Sequence, residues 1–130
     1  MVRRRELLAY LIGAGTAGTL LVGPYAFRAA AVALLPGATI GQVPFFLLPI
    51  VWGLWNLLWA RRQPAIGIAT WGAILGIVAG VAVNLLFVAT GSWFPIAVLL
   101  PLYLPVVYFL LWRIVVGPLN EALGVVGGVA

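Results

Sequence analysis

The sequence predicts an all-α integral membrane protein: one transmembrane domain over residues 1–130, built as a four-transmembrane-helix bundle with short loops and both termini cytoplasmic. Three observations carry that expectation. Hydrophobic residues make up 65% of the chain and charged residues 7%, against about a quarter charged in ordinary soluble domains; so little charge does not keep a chain dispersed in water. The apolar residues fall in four long runs, not in the interrupted pattern of a soluble core. The arginines collect at alternate ends of those runs.

The runs are Leu7 to Phe27, Val43 to Ala60, Ala65 to Thr90, and Trp93 to Trp112. A helix needs about 20 apolar residues to cross a hydrocarbon core roughly 30 Å thick. The second run sits at the short end of that requirement, and the third is long enough to tilt. With the N-terminus inside, Arg3, Arg4, Arg5, Arg61, Arg62 and Arg113 are cytoplasmic and only Arg28 is external, the distribution that the positive-inside rule describes. Tyr10, Trp59, Trp71 and Trp112 then lie near the inner interface, and Tyr25, Phe27 and Trp93 near the outer one, where amphipathic rings are favoured. The expected location is the cytoplasmic (inner) membrane, where helical spans prevail over barrels.

The connections are short. Arg61 to Pro64 forms the inner turn and Gly91-Ser92 an outer one. Arg28 to Leu35 extends the first helix past Pro24 or lies along the interface, up to the Pro36-Gly37 break. Ala31-Val32-Ala33 resembles a signal-cleavage site, but the apolar stretch before it exceeds the about 7–15 residues of a signal core, which favours a retained span. Asn56 to Trp59 and Asn84 to Phe87 share the pattern Asn-Leu-Leu-aromatic, a match that leucine-rich chains produce by chance.

The chemical inventory excludes most catalysis. Cysteine, histidine and aspartate are absent, Met1 is the sole methionine, and the acids are Glu6 and Glu121, both outside the runs. No metal site, haem ligand or cofactor is expected. Ser92 has no base to activate it, so no catalytic residue is assigned and the protein is not expected to be an enzyme. Seven arginines spread over membrane flanks make no nucleic-acid surface.

Three constellations remain. Gly72, Gly76, Gly80 and Asn84 recur every four residues, which sets them along one side of the third helix. Gly15, Thr19 and Gly23 form a similar row on the first. Small residues let helices approach closely in lipid, so these rows are expected to pack the first helix against the third or to mediate self-association. Asn84 is expected to point into a helix contact, with Thr19, Tyr25 or Tyr103 in reach, and Asn56, at a different depth, to meet Tyr108. Second, Trp52, Trp55, Asn56 and Trp59 share one face of the second helix. Trp52 is too deep for an interfacial anchor, so this face either fills space between helices or walls a lipid or other apolar ligand. Third, Pro101 and Pro105 lie within the fourth run and are expected to kink it, whereas Pro95 suits a helix start.

Two functions fit this inventory. One is a non-enzymatic structural or accessory membrane subunit, or a homo-oligomer, that assembles with itself or another membrane protein through small-residue faces. The other is a small oligomeric channel or carrier for a lipophilic or uncharged substrate, motivated by the tryptophan wall and the prolines. The first requires fewer features beyond those in the sequence.

Overall fold

The structure is a computed structural model that describes residues 2–34, 45–91 and 98–125. The described residues are predominantly helical and contain no strand. In order they form α1 (Val2–Leu20), α2 (Val22–Leu34), a 3₁₀ turn (Phe45–Leu47), α3 (Leu48–Arg62), α4 (Ile68–Ala89), α5 (Leu100–Leu111), a π-helical turn (Trp112–Val116) and α6 (Gly117–Ala122).

The first run makes one long helix with an irregularity at Leu21, still bridged by Leu21 N–H to Ala17 C=O (3.1 Å) and Tyr25 N–H to Leu21 C=O (3.3 Å). Pro24 explains the break: it has no N–H for the carbonyl of Leu20 and its ring crowds that carbonyl. Beyond the break the chain remains helical to Leu34, so the Arg28 segment does extend the first helix.

Three helices are long and apolar enough to cross a membrane: Arg4–Ala30, Ile68–Ala89 and Leu100–Ala122. The second run makes a shorter helix than expected. Pro49 falls in the first turn of α3, which ends at Arg62 with Gln63 in the left-handed region. Its 15 residues reach about 22 Å at 1.5 Å each.

The last helix extends further toward the C-terminus than expected. Of the expected span Trp93 to Trp112, residues 93–97 lie outside the described residues; from Leu100 the helix continues past Arg113 through the π turn to Ala122. Gly117 N–H bonds the carbonyl of Trp112, five residues back, and Pro118 offers no N–H to any carbonyl. The extra residue of the π turn absorbs that missing donor without ending the helix. The stop comes at Gly124, whose φ of +67° suits a residue without Cβ. Gly124 N–H bonds Glu121 C=O (3.1 Å) and Val125 N–H bonds Asn120 C=O (2.8 Å), the paired bonds of a Schellman cap.

These helices form two antiparallel hairpins. In one, α1 lies against α3, with Glu6 beside Arg61, Ala9 beside Asn56 and Tyr10 beside Gly53. In the other, α4 lies against α5, with Gly72 beside Trp112, Gly76 beside Pro105 and Gly80 beside Pro101. Residues Ala9, Ile12, Ala17, Trp52, Leu75, Tyr108, Trp112, Val116 and Val125 make the buried core that joins the hairpins.

Candidate functional site

The tryptophan face of α3 is the seam between the hairpins. Trp52 is 1% exposed, with ring centroids 4.8 Å from Tyr108 and 4.5 Å from Trp112. Its indole N–H donates to the Tyr108 hydroxyl at 3.3 Å. Trp55 stacks on Trp71 at 4.7 Å, and each indole N–H donates to the other's backbone carbonyl, at 2.9 and 3.0 Å. Trp59 is buried, and its indole N–H, like that of Trp112, has no partner among the described residues. The rings of this face are therefore enclosed by neighbouring helices rather than lining an open wall.

A carboxamide pair lies within that seam. Asn56 donates to the side-chain carbonyl of Asn120 at 3.0 Å and Asn120 donates back at 2.9 Å. Asn56 also donates to the carbonyl of Ala9 at 2.8 Å. Both asparagines are fully buried, so in the absence of water each amide needs the other. Asn56 was expected to meet Tyr108; that hydroxyl instead accepts from Trp52. Asn120 was missed because the last span was expected to end at Trp112, with Arg113 on the cytoplasmic side. The spacing Tyr108, Trp112, Val116, Asn120, one residue per turn, was the available signal.

The seam is closed at the charged end of the bundle. The Arg5 guanidinium donates twice to the carbonyl of Val125, from Nε at 3.1 Å and from a terminal nitrogen. Arg61 pairs with Glu6 at 2.8 Å, and this bond holds the Arg61 guanidinium above its ordinary pKa, first through the hydrogen bond and then through the charge of Glu6. Arg4, Arg62 and Arg113 are exposed. The side chain of Arg3 lies outside the described residues.

The glycine rows part company. A Cβ at Gly72 would lie 2.5 Å from the Trp112 ring, at Gly76 2.7 Å from Pro105 Cα, and at Gly80 2.7 Å from Pro101 Cα. This stripe packs against α5, its own hairpin partner, and not against α1 as expected. Among the described helices α5 follows α4 in the chain and lies antiparallel to it, so the neighbour in sequence takes the face. Asn84 continues the stripe but donates to Gly80 C=O of its own helix at 3.2 Å, and its buried carbonyl oxygen has no partner among the described residues. None of Thr19, Tyr25 or Tyr103 reaches it. Pro105 is inside α5, whereas Pro101 occupies its first turn, where a missing N–H costs nothing; Pro101 is thus a helix start and not a kink. Pro95 lies outside the described residues.

On α1 the buried residues are Ala9, Ile12, Gly13, Thr16 and Ala17, and Gly13 is the close-approach residue, facing the Trp52 carbonyl. Gly53 answers it from α3, where a Cβ would meet the Tyr10 ring at 2.7 Å. The row expected to pack is turned away: Gly15, Gly18, Thr19 and Gly23 are exposed, and a Cβ at any of the three glycines would meet nothing within 4 Å among the described residues. Gly15 also borders a groove of about 270 Å³ between α1 and α6, walled by Leu11, Leu119 and Leu123.

Taken together, these features define an all-helical bundle of two hairpins with three membrane-length apolar helices, an interior amide lock, and one open small-residue side. Comparison with protein-family models, curated proteins and solved structures finds no match.

Proposed function

We propose that this is a non-enzymatic integral membrane protein of the cytoplasmic membrane, with four membrane-embedded helices and both chain ends inside, that serves as a structural or accessory subunit. In this reading it assembles with a second copy or with another membrane protein through the open side of α1 and α2. The observation that carries the proposal is the contrast between the two glycine rows. The α4 row is used up within the chain, whereas Gly15, Gly18 and Gly23 leave a helix side without bulk, beside an apolar groove. Close backbone approach along such a side is what drives helix association in lipid. A carrier finds less support: Trp52 and Asn56, which motivated it, are engaged in internal packing.

The test is the mass of the intact complex, isolated from native membranes in mild detergent. We expect a homo-oligomer or a defined partner, and its loss in Gly15→Leu/Gly18→Leu while the single chain keeps its helical content and elution. A wild-type protein that runs as a bare monomer, or a complex unaffected by the double substitution, would refute the assembly face.

A further inference from the structure

A second cleft, of about 480 Å³, opens at the charged end of the other hairpin, between the start of α4 and the helix that runs from α5 into α6. Ile68, Thr70, Phe109, Arg113, Gly117 and Glu121 line it. Phe109, Arg113, Gly117 and Glu121 recur every four residues, so they follow one side of that helix. Arg113 and Glu121 are exposed, and neither has a hydrogen-bonding or ion-pair partner for its side chain among the described residues. They lie too far apart along the axis, about 12 Å at 1.5 Å per residue, to neutralise each other directly.

We infer that this cleft binds a phospholipid whose headgroup carries a primary ammonium, the phosphoethanolamine class. The inference rests on the chain being embedded in a bilayer, though not on the assembly face. The order of chemistry along the helix carries it. Phe109 is nearest the bilayer centre, Arg113 follows, and Glu121 lies nearest the end of the bundle, beside the Schellman cap. A lipid in the adjacent leaflet presents its groups in the same order: acyl chain, phosphate, ammonium. The acyl chain lies along Phe109 and Ile68. Arg113 donates to the phosphate in the forked geometry that suits that anion, and the Thr70 hydroxyl offers one further donor. The Glu121 carboxylate accepts from the ammonium. Gly117, held close against Ile68, where its Cβ would lie 3.3 Å from a methyl carbon, adds no bulk between the two charges. A phosphoglycerol headgroup supplies no cation to Glu121, and a quaternary choline supplies charge but no N–H, so the site discriminates by headgroup.

The experiment is native mass spectrometry of the full chain in detergent, titrated with dioleoyl phosphatidylethanolamine, phosphatidylcholine or phosphatidylglycerol. We expect the ethanolamine lipid to bind about fivefold or more tightly than either of the others, as one interfacial charge contact of about 1 kcal/mol implies. Glu121→Gln should erase the preference over phosphatidylglycerol while retaining phosphate binding. Arg113→Gln should weaken all three lipids. Both side chains are exposed, and unchanged circular dichroism would show that the fold is kept. Equal binding of the three lipids by the wild type, or a preference untouched by Glu121→Gln, would overturn the inference. Membrane embedding is checked separately by resistance to alkaline extraction, so failure of the lipid site is distinguishable from failure of the membrane reading.

Discussion

Asn56 and Asn120 each give the other a donor and an acceptor in a place that water does not reach. Hydrogen bonds between membrane helices average only about 0.6 kcal/mol, because partly unfolded states find other partners. An orphaned buried amide costs more, about 1–3 kcal/mol, and that asymmetry decides the prediction. Asn120→Ala is expected to destabilise the protein by about 1–2 kcal/mol, whereas Asn56→Leu/Asn120→Leu should cost less than the sum of the single changes. A denaturation series in mixed micelles, run as a double-mutant cycle, measures this; strict additivity would mean that the pair is not a coupled unit. That Asn56 must be inside was legible from its place among tryptophans on an apolar helix. Its partner was not, because the residue lies 64 positions away, beyond Arg113, whose charge marked the cytoplasmic end of the expected span.

At the scale of the element, four-residue glycine spacing defined helix sides without saying which of them approaches a neighbour: the α4 row does, and the α1 row does not among the described residues. Gly76 touches backbone atoms of Leu104 and Pro105, and helix backbones cannot yield as the tip of a side chain does. Gly76→Ala is therefore expected to destabilise the α4–α5 hairpin by about 1–3 kcal/mol through overpacking. Gly15→Ala, with open space around it, should instead be neutral or gain up to about 1 kcal/mol from the better helix propensity of alanine. Thermal unfolding of the two variants as single chains in detergent compares them directly; equal effects would mean that the two rows share one environment. The π turn belongs to this scale as well. A proline at position 118 reads as a terminator by local rules, yet the helix passes it by inserting one residue, and only the packing of Val116 and Asn120 into the seam makes that arrangement worthwhile.

The whole molecule presents its apolar residues outward. In the three membrane-length helices only 28%, 28% and 22% of the most apolar window is buried, so most of their surface needs lipid or a partner. Soluble monomers rarely expose contiguous apolar patches beyond a few hundred Å². The bundle also brings distant parts of the chain to one end: Arg5 meets Val125 and Glu6 meets Arg61. Because the chain has no cysteine, single substitutions report sidedness without background. In intact cells, Gln63→Cys and Leu123→Cys should be shielded from an impermeant maleimide and Thr90→Cys should react. Opposite protection of positions 63 and 123 would contradict a shared cytoplasmic end. Phe46→Cys decides whether α3, at 15 residues, crosses the bilayer: labelling from outside makes it a fourth span, and protection from both sides makes it a helix that turns back within the membrane.

By itself the sequence determined the helical class, the approximate stretches that become helices, and that several of these are apolar enough to cross a membrane, because those follow from composition and from runs of apolar residues, which are local properties. It also marked Gly72, Gly76 and Gly80 as close-approach residues, since a four-residue repeat defines a helix side whatever lies opposite. Only the tertiary structure decided that this side faces α5, that Gly15 and Gly23 face outward, that the tryptophan face is an internal seam, and that the last helix runs on to Asn120. Lipid is as apolar as the side chains themselves, so hydrophobicity gives no inside or outside to a membrane helix; the choice of neighbour rests on shape and on a few buried hydrogen bonds, and those exist only once the helices are placed together.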